Sequence, residues 1–247
     1  MFPIGDDNPT RRTAYVTYGL IGVNLLVFLY EISLNPLQLR SLFEVWAVVP
    51  LELTAQFNGY PVTIPGTNLP ETLTLLTSQF LHGGWAHLGG NMLFLWIFGN
   101  NVEDRLGSVK YLLFYLASGA IAGLCQWFFA PLSAVPSLGA SGAIAGVMGA
   151  YILRYPRASI LTLVPLGFVL IPLRIAAFWY LGIWFLQQAL YGLGSLQQPM
   201  NIGLSGGGIA YWAHAGGFVI EPGPFWGHCW GYSRTMIKQK LQSRNAH

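Results

Sequence analysis

The chain has 247 residues, of which 53% are hydrophobic, 15% aromatic and only 9% charged, against about 25% charged in soluble domains. That composition excludes an ordinary soluble fold, and a net charge of +3 dispersed along the chain excludes a nucleic-acid binder. Cys125 and Cys229 offer neither a disulfide framework nor metal-ligand spacing, and no polar linker divides the chain.

Residues 1–12 read as an N-terminal tail ending in Arg11-Arg12, and residues 13–220 as one membrane domain. The first span, Thr13 to Ile32, carries no charge before Glu31 and lacks a small-residue cleavage site, so it reads as a retained span. A polar loop, Ser33 to Glu71, follows; its apolar stretch Phe43 to Val49 could lie in the membrane interface. Span two is placed at Leu73 to Asn100, span three at Tyr111 to Phe129, and span four at Ser141 to Leu153, which is short for a crossing. A short helix of that kind starts below the surface, in a cavity that protein or water must line. Ile160 to Leu173 is apolar but broken by Pro165, Gly167 and Pro172, and is expected to be re-entrant or interfacial. Span five is placed at Arg174 to Leu193; span six begins near Gly207, after the loop-to-helix junction Gly206-Gly207-Gly208, and carries His214. The expected fold is therefore an all-α polytopic membrane protein, a bundle of six transmembrane helices.

The basic residues orient it. With the N-terminus cytoplasmic, Arg11, Arg12, Arg105, Lys110, Arg154, Arg157, Arg174, Arg234, Lys238, Lys240 and Arg244 all fall inside, and only Arg40 falls outside. Ser141, at the start of span four, then faces the outer side.

Polar residues at membrane depth are costly and mark function. They form three groups: His82, His87 and Asn91 in the first; Ser141 in Gly139-Ala140-Ser141-Gly142 in the second; His214 in Tyr211 to Ile220 in the third. A serine hydroxyl becomes a nucleophile when a base takes its proton, and histidine is the usual base. The nine acids lie in loops, tails or span ends, so an orienting carboxylate of the Ser-His-Asp kind is not expected and a Ser-His dyad is the economical arrangement. His87 and Asn91, four apart, share a helix face and can donate to an oxyanion, with the backbone N–H of Ser141 as a third donor. His82 reads as a structural hydrogen-bonder near the outer rim. The small-residue stripes Gly142, Gly146, Gly149, Ala150 and Ala213, Gly216, Gly217 read as packing surfaces that bring spans four and six together. Trp85, Trp127 and Trp212 read as interface anchors, and Glu103-Asp104-Arg105 as a cytoplasmic turn capping span two.

At these residues the chain resembles the rhomboid intramembrane serine proteases. The matching motifs are H-x3-N at His87 to Asn91, G-x-S-G at Gly139 to Gly142, and A-H-x-G-G at Ala213 to Gly217, in that order, within a resemblance covering roughly residues 13 to 220. It implies Ser141 as nucleophile, His214 as general base, and His87, Asn91 and the Ser141 N–H as oxyanion donors, with His82, Gly139 and Gly142 in support. It also implies single-span membrane proteins as substrates, entering sideways from the lipid bilayer and unwinding before cleavage. No metal and no organic cofactor is expected, nor a nucleic-acid partner. The expected location is a bacterial plasma membrane, the protein being multi-pass with its N-terminus in the cytoplasm.

Two departures stand out. Many members carry an aromatic four residues after the serine, packed on the histidine; here that position is Ala145, so the orientation of His214 must come from elsewhere. After Ile220 the family pattern of an apolar small-residue helix gives way to Glu221-Pro222-Gly223-Pro224 and a divergent basic tail, residues 221–247. Two readings of this stay open: the aromatic stretch Phe225 to Tyr232 completes the crossing irregularly, or the tail is a frameshift or truncation product. The rival functions are a catalytically weak or inactive rhomboid-like protein that binds client transmembrane helices, and a transporter. An intact Ser-His pair counts against the first. The second needs polar residues along the whole bilayer depth, whereas these cluster at one depth.

Overall fold

The computed structural model describes residues 1–167, 169–195 and 210–219. The start expected for span six near Gly207 and the whole tail after Ile220 lie outside the described residues. A strand, β1 (Phe2–Asp6), precedes α1 (Tyr15–Ser33), α2 (Pro36–Trp46) and α3 (Pro50–Phe57). Two short 3₁₀ turns flank the single-turn α4 (Thr74–Thr77), and α5 (Trp85–Leu106), α6 (Ser108–Phe129) and α7 (Ser141–Arg154) follow. The hairpin β2 (Ser159–Leu166) and β3 (Val169–Ala176) leads into α8 (Ala177–Ser195), and α9 (Tyr211–Val219) is the last described element.

Helix α7 is the axis of the bundle. Every residue from Gly142 to Tyr151 is buried, and α5, α6, α8 and α9 pack around it. Among the described residues, α1 and α6 are each long and apolar enough to cross a membrane. Large apolar side chains such as Leu26, Leu29, Leu113 and Phe128 stay exposed on them, the arrangement expected where lipid is the solvent.

The helix ends explain several boundaries. Helix α1 has no side-chain cap of its own at Ala14. The Glu103 carboxylate from α5 replaces it, accepting from the backbone N–H of Val16 (3.0 Å) and Thr17 (2.8 Å) and from the Thr17 hydroxyl (2.8 Å). A carboxylate satisfying orphan N–H groups at a helix start is favoured by both hydrogen bonding and the helix dipole. Glu103 was expected to cap its own span; it caps the neighbouring one. The loop after α1 is more ordered than a polar linker: Asn35 and Gln38 form a capping box with Pro36 at the first turn, a strong helix-start signal.

Two expectations are corrected. Span two is not one helix from Leu73 to Asn100. Extended backbone at Leu81 ends the preceding turn before His82, and the Gly83-Gly84 pair separates His82 from α5, which starts at Trp85 and runs to Leu106.

The second correction is to the all-α class. Ile160 to Leu173 belongs to an antiparallel hairpin with register Ser159↔Ala176 to Leu166↔Val169, and β1 adds to it through Phe2↔Leu163 and Asp6↔Ile160. Prolines and β-branched residues disfavour helix there, and Gly167 takes φ +62° at the turn. Arg174 accordingly lies in β3, three residues before α8 begins. The N-terminal segment read as a tail thus supplies a strand. It is tied down where Asp6 accepts from Asn101 Nδ2 (3.0 Å) and the Tyr151 hydroxyl, and where the Ser159 N–H donates to Asp7 (2.7 Å). Those Ser159 bonds hold the Asp7 carboxyl below its ordinary range, while burial pushes Asp6 up.

Candidate active site

Ser141 is the first residue of α7, and the sequence before it explains why the helix starts there. Gly139 has φ +121°, a region that side chains with a Cβ rarely adopt. A Cβ at Gly139 would also lie 2.7 Å from His87 Nε2. The loop is pinned by the Gly139 N–H donating to Ser78 O (2.9 Å) and by paired backbone bonds between Val48 and Ser137. As the opening residue of a helix, Ser141 has no intrahelical acceptor for its own N–H.

Helix α9 brings His214 to this point: His214 Nε2 lies 2.7 Å from Ser141 Oγ. The close approach depends on the two small-residue stripes. A Cβ on Gly217 would meet the Gly142 carbonyl oxygen at 2.3 Å, and one on Gly149 would meet the Phe218 carbonyl oxygen at the same distance. A Cβ on Gly146 would meet Ser118 of α6 at 2.6 Å. Backbones this close need glycine, the membrane-packing rule at work.

The other ring nitrogen of His214 is held by a residue that sequence reasoning missed. Gln188 Oε1, on α8, is 2.9 Å from His214 Nδ1. An amide oxygen only accepts, so Nδ1 carries the proton and Nε2 of the neutral ring is free to accept from Ser141. One turn earlier on α8, the Trp184 ring lies 5.9 Å from the imidazole at 31°. Ala145, where an aromatic was expected by resemblance, is fully buried; the ring beside His214 is supplied by α8. Gln188 carried a signal in the sequence: with Gln187 it is the polar interruption of an otherwise apolar span.

His87 and Asn91 both reach the Gly139 turn, as their spacing on one helix face requires; Asn91 Nδ2 lies 3.7 Å from where a Gly139 Cβ would be. The Gly83 N–H donates to His87 Nδ1 at 3.3 Å, which leaves Nε2 as the protonated nitrogen facing Gly139. Asn91 Nδ2 donates one proton to His82 Nε2 at 3.0 Å, fixing the amide and leaving its second N–H available. His82 is buried and its own backbone N–H donates to the Glu31 carboxylate at 3.0 Å. A chain of contacts thus runs from the end of α1 through His82 to Asn91. The site combines a base-linked hydroxyl with neutral donors from separate elements, a constellation suited to acyl transfer.

Trp212, read as an interface anchor, instead stacks on Phe129 at 3.8 Å and packs against Gly192. Trp127 ties α6 to α3 by donating to Thr54 Oγ1 (2.8 Å). Trp85 is exposed and meets Phe28 edge-on.

Residues 70–229 match the family model described as the Rhomboid domain. The chain belongs to the rhomboid family. Rhomboid-like protein 11, chloroplastic, of Arabidopsis thaliana is 41% identical over 86 residues, 35% of this chain and 30% of that protein. Rhomboid protein 1, mitochondrial, of Saccharomyces cerevisiae is 30% identical over 153 residues, 60% of this chain and 39% of that protein. Rhomboid protease GluP of Bacillus subtilis is 48% identical over 80 residues, 32% of this chain and 15% of that protein. The chain therefore spans less than half the length of each of these relatives. Rhomboid proteins are integral membrane proteins, and the relatives carry mitochondrial and chloroplastic as well as bacterial names.

Proposed function

We propose that this rhomboid protein is an intramembrane serine endopeptidase that cleaves single-span membrane proteins with a Ser141–His214 dyad. The observation that carries the reading is the 2.7 Å contact between His214 Nε2 and Ser141 Oγ inside a buried bundle. His214 takes the hydroxyl proton as Oγ attacks the scissile carbonyl. The oxyanion accepts from the Ser141 N–H, His87 Nε2–H and the free Asn91 N–H; the protonated His214 then donates to the departing amine. Water, activated by the same imidazole, releases the acyl product.

The helix order supports six crossings. The basic residues Arg12, Arg105, Lys110, Arg154 and Arg174 gather at one end of the bundle, where Arg12 N–H donates to Asp104 (2.9 Å) and Arg174 approaches Asp7 (4.0 Å). Ser141 begins α7 at the opposite end, so a cytoplasmic N-terminus puts the site toward the outer leaflet. A bacterial plasma membrane suits this layout.

The test is cleavage of a single-span substrate in proteoliposomes, with the cut site mapped by mass spectrometry. A cut inside the substrate's membrane segment, lost with Ser141→Ala, is the expected result; intact substrate under conditions where the protein is folded overturns it.

His87→Ala and Asn91→Ala are expected to lower turnover by roughly 10–1000-fold, the range for loss of an oxyanion donor, in protein that still folds. Near-normal rates for both variants would reduce them to structural roles. Gln188→Ala removes a hydrogen bond made to the imidazolium formed during the reaction, worth about 1.5–3 kcal/mol, or roughly 10- to 150-fold in rate. Gln188→Glu keeps an acceptor in place and should recover most of that loss. Equal rates for wild type and Gln188→Ala would show that the Trp184 face and the helix packing orient His214 unaided.

A further inference from the structure

The β2–β3 hairpin has no part in the chemistry above, yet it carries an unusual surface. From Ala158 to Leu173 no residue is charged, and Arg157 and Arg174 bracket the run. Strand pairing puts Ile160, Thr162, Val164 and Leu166 on the same face as Ile175, Leu173, Ile171 and Val169. At the root this face is covered by the bundle: Ile160 and Thr162 are fully buried, and Ile175 packs on the same core. Toward the tip the cover ends. On this face Leu166 is 68% exposed and Val169 63%, and on the opposite face Leu170, paired with Pro165, is 54% exposed.

Two physical constraints locate this tip. In the described sheet β3 pairs on one side only, and an open strand edge does not occur in the hydrocarbon region because its N–H and C=O groups find no partners there. Bare leucines and valines facing water, however, cost the apolar transfer free energy. The boundary between headgroups and acyl chains satisfies both, wetting the edge and burying the side chains. The chain brings the hairpin to that level when α7 and α8 cross the bilayer as the proposed function has them: β2 follows α7, and β3 runs directly into α8. Its root carries exposed Arg154, Arg157 and Arg174, suited to lipid phosphates.

We infer that the hairpin is a lipid anchor, inserting Leu166, Val169 and Leu170 at the headgroup–acyl boundary of the leaflet on the basic side, with Arg154, Arg157 and Arg174 binding anionic headgroups. The occupant of both faces of the tip is the protein's own bilayer. Exposed apolar residues carry on from β3 into the first turn of α8 at Phe178 and Trp179. Because Tyr151 on α7 bonds Asp6 of β1 and Tyr180 on α8 bonds Met1 O just before that strand, the anchor fixes the sheet and the helix ends above it at one depth.

The test needs no catalysis, so its failure and that of the protease reading are separable. In the full chain with Cys125 and Cys229 replaced by Ala, a nitroxide is placed by Val169→Cys or by Leu170→Cys, and the protein is reconstituted in phosphatidylcholine vesicles with or without phosphatidylglycerol. Collision rates are measured with dissolved oxygen and with a water-soluble nickel chelate. Both labels are expected to favour oxygen over nickel several-fold relative to a label at Asn58→Cys, the exposed residue just after α3. That preference is expected to rise with phosphatidylglycerol, and Arg157→Gln with Arg174→Gln is expected to abolish the rise. Water-like collision rates at both positions, at any lipid composition, overturn the inference. So does dipolar broadening between labels, which would make a second copy of the chain the occupant.

Discussion

Ser141→Ala and His214→Ala are each expected to reduce substrate cleavage to background, and the double variant to be no worse than either. The reason lies in the single contact between them: His214 Nε2 has Ser141 Oγ as its partner at 2.7 Å, and Gln188 already occupies Nδ1. A nucleophile and its base act as one unit, so removing either removes the step, at a cost on the order of 10⁶ in turnover. Additive losses in the double variant, or strong residual cleavage by one single variant, would mean that the two residues serve separate roles. The rates are compared at equal folded fraction, because His214→Ala leaves Gln188 Oε1 without its partner.

The second large effect is expected at a residue that takes no part in the chemistry. Gly217→Ala should lower turnover about 100-fold, because its Cβ would sit 2.3 Å from the Gly142 carbonyl oxygen. A backbone atom cannot step aside as a side chain can, so α9 must move away from α7. His214 travels with α9, and a displacement of about 1 Å from productive geometry costs roughly 10²-fold. Gly89→Ala on α5 is the control, since nothing lies within 4 Å of its Cβ, and it should leave the rate unchanged. Turnover of Gly217→Ala equal to that of Gly89→Ala would show that α9 can shift without carrying His214 off the serine.

Much of this site was legible in the chain because its parts are local. His87 and Asn91 are related by helix spacing, and Gly139 marks a turn that only glycine tolerates. The glycines of α7 and α9 announce a close approach before any coordinates. Apolar length places the ends of α1 and α7 within two residues, whereas α6 starts at Ser108, three residues before the Tyr111 start that apolar length gives. What was not legible depends on distant partners. The β1 strand exists because Phe2 meets Leu163 and Asp6 meets Ile160, and no period in residues 1–12 signals that pairing. The hairpin itself reads as an apolar run with both faces hydrophobic, which gives no alternation. Glu103 looked like a cap for α5 because its true client, the start of α1, is 86 residues away. Gln188 lacked a motif, although a glutamine in an apolar span is a functional signal in itself.

The central claim is that Ser141 is an activated nucleophile, and a fluorophosphonate probe tests it most directly. Such a probe reacts only with a hydroxyl whose proton a neighbouring base removes. In detergent, wild-type protein is expected to be labelled on Ser141, with the adduct located by mass spectrometry. Labelling is expected to disappear in Ser141→Ala, to fall to background in His214→Ala, and to be slowed in Gln188→Ala. A folded wild-type protein that takes no label, or a His214→Ala variant labelled at the wild-type rate, would contradict the assignment.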